Sequence, residues 1–358
     1  MVKYYKILGL MSGTSLDGLD MAYCEFSFDE DLNKWTYLLG PVETVPLTVT
    51  LSDKLINCMG LSGLELSLLD LDLGRWMGDE AKKFIKKYDL APEIVASHGH
   101  TIFHQPERGL TLQIGRGTEL SAHCGLPVIN DFRSVDMALG GQGAPLVPVG
   151  DKLLFSEFTA CINLGGISNI SFEKEDVRVA WDISPVNIIL NRLANEAGLE
   201  FDKDGQLAAG GDVHEGLLGK LNALDYYQYP GPKSLGYEWI ESAVFHLLDP
   251  GNISLPDRLR TAVEHIAIQL ANAINDLPGK GKVLFTGGGA LNAFLMERTK
   301  DHVIHEDKQI LVPDISLVQY KEALIFAFLG VLRLRKEPNC LASVTGAIRD
   351  NVGGVYYE

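Results

Sequence analysis

Residues 8–20 read LGLMSGTSLDGLD. An apolar run from Tyr5 to Leu10 leads into Ser12-Gly13-Thr14-Ser15-Leu16. Asp17-Gly18 turns the chain, and Leu19 to Phe28 leads away. Asp-Gly between two strand-like runs predicts a β-hairpin. Glycines at its tip let a ligand approach the backbone, and successive turn amides form an anion-binding nest. The hydroxyls of Ser12, Thr14 and Ser15 add donors for phosphate oxygens, and Asp17 and Asp20 are placed to meet a hydrated metal ion. An ordinary solvated hairpin has the same turn, so the ligand-binding reading depends on what accompanies it.

At 358 residues the chain exceeds what one core usually holds, so two domains are expected. Hydrophobic residues make up 46% and charged ones 22%, as in an ordinary soluble protein. Thirty-one Lys and Arg stand against 47 Asp and Glu, a net charge of −16, with no basic block. That argues against a nucleic-acid or anionic-membrane partner. Phosphate can still be bound through backbone amides and a cation. The five cysteines, Cys24, Cys58, Cys124, Cys161 and Cys340, are odd in number and never at CxxC spacing. Reduced thiols, a cytoplasmic location and no zinc module are the expectation. The N-terminus does not read as a signal peptide, and the late apolar run Ala323 to Leu332 is too short to span a bilayer.

Three strands are predicted at 5–10, 19–28 and 35–48, then helices at 50–60 and 63–88. Glu93 to Ser97 reads as a buried strand that ends in His98-Gly99-His100. The HxH spacing puts both histidines on one side, but no carboxylate or cysteine lies beside them, so hydrogen bonding to a ligand or loop is expected rather than a metal. After the strand Pro127 to Asn130 comes Asp131-Phe132-Arg133, whose planar guanidinium suits a carboxylate or phosphate. The run Gly140-Gly141-Gln142-Gly143-Ala144-Pro145 is a composition break. Beyond it the opening pattern recurs: strand Ala160 to Asn163, turn Gly165-Gly166, strand Ile167 to Phe172, and strand Val177 to Trp181 ending at Asp182. A strand at Val283 to Phe285, then Gly287-Gly288-Gly289, then a helix from Ala290 is a generic anion-contact arrangement. It is neither a Walker A loop nor GxGxxG. Asp314 caps a last helix over about 315–336, in which Glu322 adjoins an apolar run and needs a partner, a ligand or water.

Three glycine-rich turns after strands, in two similar halves, resemble the actin, hexokinase and Hsp70 superfamily. Read at motif level, the chain is identified as resembling the anhydro-N-acetylmuramic acid kinase family. The motifs are GLMSGTSLDGLD at 9–20, SHGHTIFHQP at 97–106, TLQIG at 111–115 and NDFRSVDMALGGQGAPLVP at 130–148. With them come INLGGISNI at 162–170, FTGGGALN at 285–292 and SVTGAI at 343–348. The resemblance implies an α/β fold of two related domains of the actin-like ATPase, ribonuclease H-like type, with an interdomain nucleotide cleft. The domains are expected over 1–136 plus 337–358 and over 137–336. It implies a kinase that uses ATP and Mg²⁺ to open a 1,6-anhydro amino sugar with water and to phosphorylate O6, in cell-wall recycling. Carried onto this sequence, the nucleotide contacts are Gly13, Thr14, Ser15, Leu16, Asp17, Gly18, Leu19 and Asp20, with Gly165, Gly166, Gly287, Gly288 and Gly289. The catalytic base is Asp182, and the sugar side is Ser12, His98, Arg133 and Glu322. No resident metal ligand is assigned, and a homodimer is left open.

The chain departs from the family where Asp-Thr-Gly-Pro-Gly-Asn is usual. It has Asp182-Ile183-Ser184-Pro185-Val186-Asn187. His100 stands where Gln is common, and Tyr237 follows KSLG at 233–236 where Arg is common. Side chains in place of glycine put a Cβ where backbone would meet a ligand. Two alternatives therefore accompany the anhydro-sugar kinase: a nucleotide-binding relative without turnover, and a kinase for another sugar.

Overall fold

The computed structural model describes residues 2–13, 16–249 and 251–358. The chain forms two compact units, Met1–Leu154 with Tyr320–Glu358, and Phe155–Gln319. The boundaries expected after 136 and 336 lie inside the first unit. Asp136 is the reason: it is fully buried, and its carboxylate ties the glycine run to the C-terminal segment. Its Oδ2 accepts from the Gly143 N–H (2.8 Å), and its Oδ1 from Thr345 Oγ1 (2.8 Å), Asn351 Nδ2 (2.8 Å) and Cys340 Sγ (3.1 Å). A buried carboxylate with four donors is satisfied and stays in place.

The first unit holds β1 (Val2–Ser12), β2 (Leu19–Asp29), β3 (Lys34–Val45), β4 (Ile94–Gln105), β5 (Leu110–Ile114) and β6 (Val128–Asn130). The second holds β7 (Ala160–Leu164), β8 (Ile167–Lys174), β9 (Val177–Pro185), β10 (Gly281–Thr286) and β11 (Lys308–Leu311), and β12 (Val355–Tyr357) returns to the first. The first sheet runs β12-β6-β4-β1-β2-β3, with β5 on β4, and the second runs β11-β10-β7-β8-β9. In each unit three consecutive strands form an antiparallel meander. The next long strand then joins the meander's first strand in parallel: β4 on β1, β10 on β7. One topology occurs twice. It is the ribonuclease H-like arrangement of the actin-like ATPases, and it makes each meander's first turn equivalent to the other's.

Helices cross between the parallel strands, as such strands require. Gly63–Lys87 leads from β3 to β4. A capping box closes its start, with Ser62 Oγ accepting from the Glu65 N–H and Glu65 from the Ser62 N–H. Leu69, Leu73, Met77, Ala81 and Phe84 recur every three or four residues and are buried together with Leu8, Leu10 and Val95. Leu255–Asn275 plays the same part before β10 and buries Leu259, Val263, Ile266 and Leu270 against Ile162, Ile170 and Phe285. Each such leucine contributes roughly 1.5–3 kcal/mol by leaving water. The last helix, Ile315–Arg335, is capped by Asp314 Oδ1 on the Leu317 N–H (3.1 Å). It is long and apolar enough for a membrane span by length and composition, yet 72% of that window is buried inside the protein.

Candidate active site

In the first unit β1 and β2 pair from Val2↔Asp29 to Met11↔Asp20, so the hairpin expected from LGLMSGTSLDGLD is present. Its loop is longer than a two-residue Asp-Gly turn. Gly13 O accepts from the Leu16 N–H (3.3 Å), Leu16 has φ +61°, and Gly18 has φ +154°. Thr14 and Ser15 lie outside the described residues. Asp20 sits opposite Thr44 of β3, and Thr44 Oγ1 donates to Asp20 Oδ1 (2.5 Å) while meeting Tyr320 OH at 3.0 Å. Burial pushes the Asp20 carboxyl up to about 6; the Thr44 hydroxyl opposes this, and the charges of Asp17 and Glu322 add to it.

The histidines lie within β4 rather than beyond its end. Gly99, at φ +75°, breaks the strand alternation between them. His100 Nδ1 meets the Ser12 hydroxyl at 3.0 Å, with Ser12 and His100 in register. His98 turns to other partners. Its Nε2 lies 2.8 Å from Arg133 Nη2 and 3.2 Å from Arg133 Nε, its Nδ1 is 3.0 Å from the Gly99 carbonyl, and its ring is 4.6 Å from that of Phe326. Arg133 only donates, so His98 Nε2 accepts and the proton is assigned to Nδ1. Burial first, then the Arg133 charge, holds His98 well below its ordinary pKa, hence neutral. A neutral imidazole whose free lone pair already faces a guanidinium is a poor metal ligand.

Arg133 also donates from Nη1 to the Gly143 carbonyl (2.6 Å). Burial lowers its pKa to about 10, against the raising effect of Glu322. Burial raises Glu322, while Arg133 and Lys321 pull it down. His98, Arg133 and Glu322 therefore belong to one electrostatic group in the first unit, and Ser12 adjoins it through His100. Two further residues hold it and were not read from sequence. Asp136 fixes the loop carrying the Gly143 carbonyl. Lys321 forms a buried ion pair with Asp151 (2.7 Å), each side chain 4% exposed. Only their charge within apolar surroundings signalled them: Asp136 in SVDMAL, Lys321 before the apolar run.

In the second unit the β7–β8 turn holds Gly165 and Gly166, whose carbonyls accept from the N–H groups of Asn187 (3.3 Å) and Val186 (2.8 Å). Gly287 follows β10 at φ +82°, ψ 158°, a conformation nearly confined to glycine. A Cβ there would lie 2.7 Å from Asn163 Oδ1 and from the Leu164 carbonyl. Gly289 meets Leu164 and Asn187 in the same way, so the two glycine turns converge on Asn163, Leu164 and Asn187. Gly288–Leu291 is a 3₁₀ turn, and the helix begins at Ala293, capped by Asn292. Gly287→Ala is expected to cost about 1–3 kcal/mol from backbone strain alone. Thermal unfolding checks this, and an unchanged Tm would mean that the turn is not constrained as described.

Asp182 lies near the end of β9 and is half-buried. Its Oδ2 accepts from the Leu235 N–H (2.8 Å), and among the described residues its Oδ1 has no hydrogen bond. Burial raises its pKa, and the Leu235 N–H opposes that. Pro185 is the last residue of β9, and a helix begins at Asn187. The departures after Asp182 point inward. Ile183 and Val186 belong to the hydrophobic core, and Ser184 is fully buried, meeting Tyr227 OH at 3.3 Å. Tyr237 is exposed at the start of a short helix.

A family model described as anhydro-N-acetylmuramic acid kinase matches residues 5–358. A protein named anhydro-N-acetylmuramic acid kinase from Mannheimia succiniciproducens is 34% identical over 381 residues, covering 100% of both chains. One of that name from Haemophilus influenzae is 34% identical, covering 96% of this chain and 95% of its own. One from Pseudomonas putida is 38% identical, covering 81% and 82%. Among solved structures, the activator of 2-hydroxyisocaproyl-CoA dehydratase from Clostridium difficile aligns with a TM-score of 0.42 at 14% identity, covering 92% of this chain and 97% of that one. With its motifs in order and the match running from Tyr5 to the last residue, the chain belongs to the anhydro-N-acetylmuramic acid kinase family.

Proposed function

We propose that this protein is an ATP-dependent kinase that opens 1,6-anhydro-N-acetylmuramic acid with water and phosphorylates O6, giving N-acetylmuramic acid 6-phosphate. The observation that carries the reading is Asp182: a half-buried carboxylate with a raised pKa, one oxygen fixed by the Leu235 N–H and the other without a hydrogen bond among the described residues. That is the form a general base takes. Asp182 Oδ1 accepts a proton from water as its oxygen bonds to the anomeric carbon. The bond from that carbon to O6 breaks, O6 bonds to the γ-phosphorus, and the γ-phosphorus bond to the β–γ bridging oxygen breaks to release ADP. Positioning and charge neutralisation supply most of phosphoryl transfer.

Within the first unit, Gly13–Asp20 offers turn amides to phosphates, and Arg133, held by neutral His98, offers a fixed cation to the sugar's carboxylate. Within the second, Gly165–Gly166 and Gly287–Gly289 are the nucleotide contacts. Among the described residues no three His, Cys, Asp or Glu side chains close into a metal cage. Asp20 feels the charges of Asp17 and Glu322, and carboxylates so placed fit a hydrated Mg²⁺ held through water. Bound there with the nucleotide, Mg²⁺ would neutralise phosphate charge.

Burial of Ile183, Ser184 and Val186 favours the enzyme over a non-catalytic relative, because these side chains fill the core instead of the site. ADP release is the test, with 1,6-anhydro-N-acetylmuramic acid set against a panel of free sugars. Turnover on the anhydro sugar is expected. An ATP-induced rise in Tm without turnover on any sugar would favour the non-catalytic relative, and turnover on a free sugar alone would favour the third reading.

A further inference from the structure

The segment Tyr226–Leu235 passes along the end of β9 and holds Asp182 at three atoms. The Asp182 N–H donates to the Lys233 carbonyl (3.0 Å). The Asp182 carbonyl accepts from the Tyr226 hydroxyl (2.6 Å), and its Oδ2 accepts from the Leu235 N–H (2.8 Å). Apart from the 3₁₀ turn Asp225–Gln228, the segment has no regular structure to fix its shape. What closes it is one side chain. Lys233 Nζ donates to the carbonyls of Tyr226 and Tyr229, both at 2.8 Å, and stands 4.3 Å over the centroid of the Tyr226 ring. No carboxylate pairs with it among the described residues. Two carbonyls and an aromatic face hold an ammonium in a fixed place. The segment also fits closely: a Cβ on Gly231 would lie 2.4 Å from the Trp181 ring, next to Asp182.

We propose that Lys233 is a positioning residue for Asp182. By pinning the Tyr226 and Tyr229 carbonyls, it sets where the Leu235 N–H and the Tyr226 hydroxyl stand, and so holds Oδ2 while Oδ1 takes the proton. This rests on the reading of Asp182 as the base. Lys233 itself touches no reacting atom. Without it the segment is free to drift, and misplacement of a catalytic group by about 1 Å costs on the order of 10²-fold.

The test measures kcat, KM and the pH profile of the full-length enzyme by ADP release, in wild type, Lys233→Met, Lys233→Arg, Tyr226→Phe and Asp182→Asn. Lys233→Met should lower kcat about 10–10²-fold, with KM for ATP and for sugar within about twofold. Its acidic limb should move to higher pH, because the Leu235 N–H that lowers the Asp182 pKa is lost. Simple loss of folded protein would not move that limb. The other titratable groups around Asp182 do not confuse it: Tyr226 and Tyr227 are pushed up by burial, and His265, behind Tyr227, is pushed down to about 3. Lys233→Arg, which keeps donors for both carbonyls, should recover most of kcat. Tyr226→Phe should lose less than Lys233→Met, since only one of the three ties goes.

An unmoved acidic limb in Lys233→Met, with kcat near wild type or with KM raised instead, overturns the proposal. Should Lys233→Met fail to fold, Tyr226→Phe decides, and unchanged kcat in that variant overturns it. Asp182→Asn separates the two levels. If it keeps turnover and the acidic limb, the base reading fails; if it abolishes turnover while Lys233→Met matches wild type, only the positioning role fails.

Discussion

Asp182→Asn lowers kcat by about 10²–10⁴-fold, the contribution of a positioned general base, and leaves nucleotide binding near wild type. Asn keeps the size of Asp182 and can still accept from the Leu235 N–H, but its amide does not take a proton from water. The nucleotide contacts assigned to the glycine turns are untouched. The pH profile carries the sign. Burial raises the Asp182 pKa above the ordinary Asp range, and a base must be unprotonated to act. Wild-type kcat therefore falls as pH drops through that raised pKa, and the residual rate of Asp182→Asn does not follow this limb. Asp204→Asn is the control. Asp204 is exposed at φ +55°, a conformation that Asn also tolerates, so the change should be nearly neutral. Retention of more than about a tenth of wild-type turnover by Asp182→Asn would place the base elsewhere.

How much of this was legible follows from which signals are local. The paired meanders were readable because strand alternation and small-residue turns are short-range patterns, and both recur after residue 160. The long helix over 63–87 was readable from its apolar spacing. The segment 233–247 was not. It holds Asp182 through its first residues and winds into a short helix and a π-helical stretch only after Gly236. Its shape depends on contacts with β9 that no spacing within the segment records. The histidines show the same limit. HxH in a regular strand shares a face, and a single glycine at φ +75° sends His98 to Arg133 and His100 to Ser12. The glycine run at 140–143 breaks the composition without being a linker, because Asp136, several residues earlier, buries its carboxylate on it. Family resemblance named Asp182 and Arg133, but not Asp136, Lys321 or Lys233. Their contacts are set by the fold, so no spacing in the sequence names their roles.

Asp20→Asn separates stability from function in the first hairpin. The Asp20 carboxyl is pushed up to about 6 by burial, with the Asp17 and Glu322 charges adding to it and Thr44 opposing. A carboxyl whose folded pKa lies above its unfolded value of 3.8 binds its proton more tightly when folded. Its contribution thus favours the fold below pH 4, is lost as pH rises toward 6, and leaves a constant penalty above that. A shift of this size corresponds to about 3 kcal/mol as an upper bound, and solvent access at this partly exposed position reduces it to roughly 1 kcal/mol. Asn carries no charge and still accepts from Thr44 Oγ1, so the apo protein should melt about 1–2 °C higher at pH 8. It should gain nothing at pH 4. Nucleotide binding should move the other way. In the proposed kinase, the cation that arrives with ATP relieves the burial and like-charge cost that Asp20 carries beside Asp17 and Glu322. Removing the Asp20 charge is expected to weaken Mg²⁺·ATP about 10²-fold, which cuts the roughly 2.7 kcal/mol that ligand at a hundred times Kd provides to about 0.4 kcal/mol. Thermal unfolding at pH 4, 6 and 8, with and without Mg²⁺·ATP, reads both effects at once. A lower apo Tm at pH 8 would show that Asp20 is paired and stabilising in the fold. An undiminished ATP shift would take Asp20 out of the nucleotide site, whatever its effect on stability.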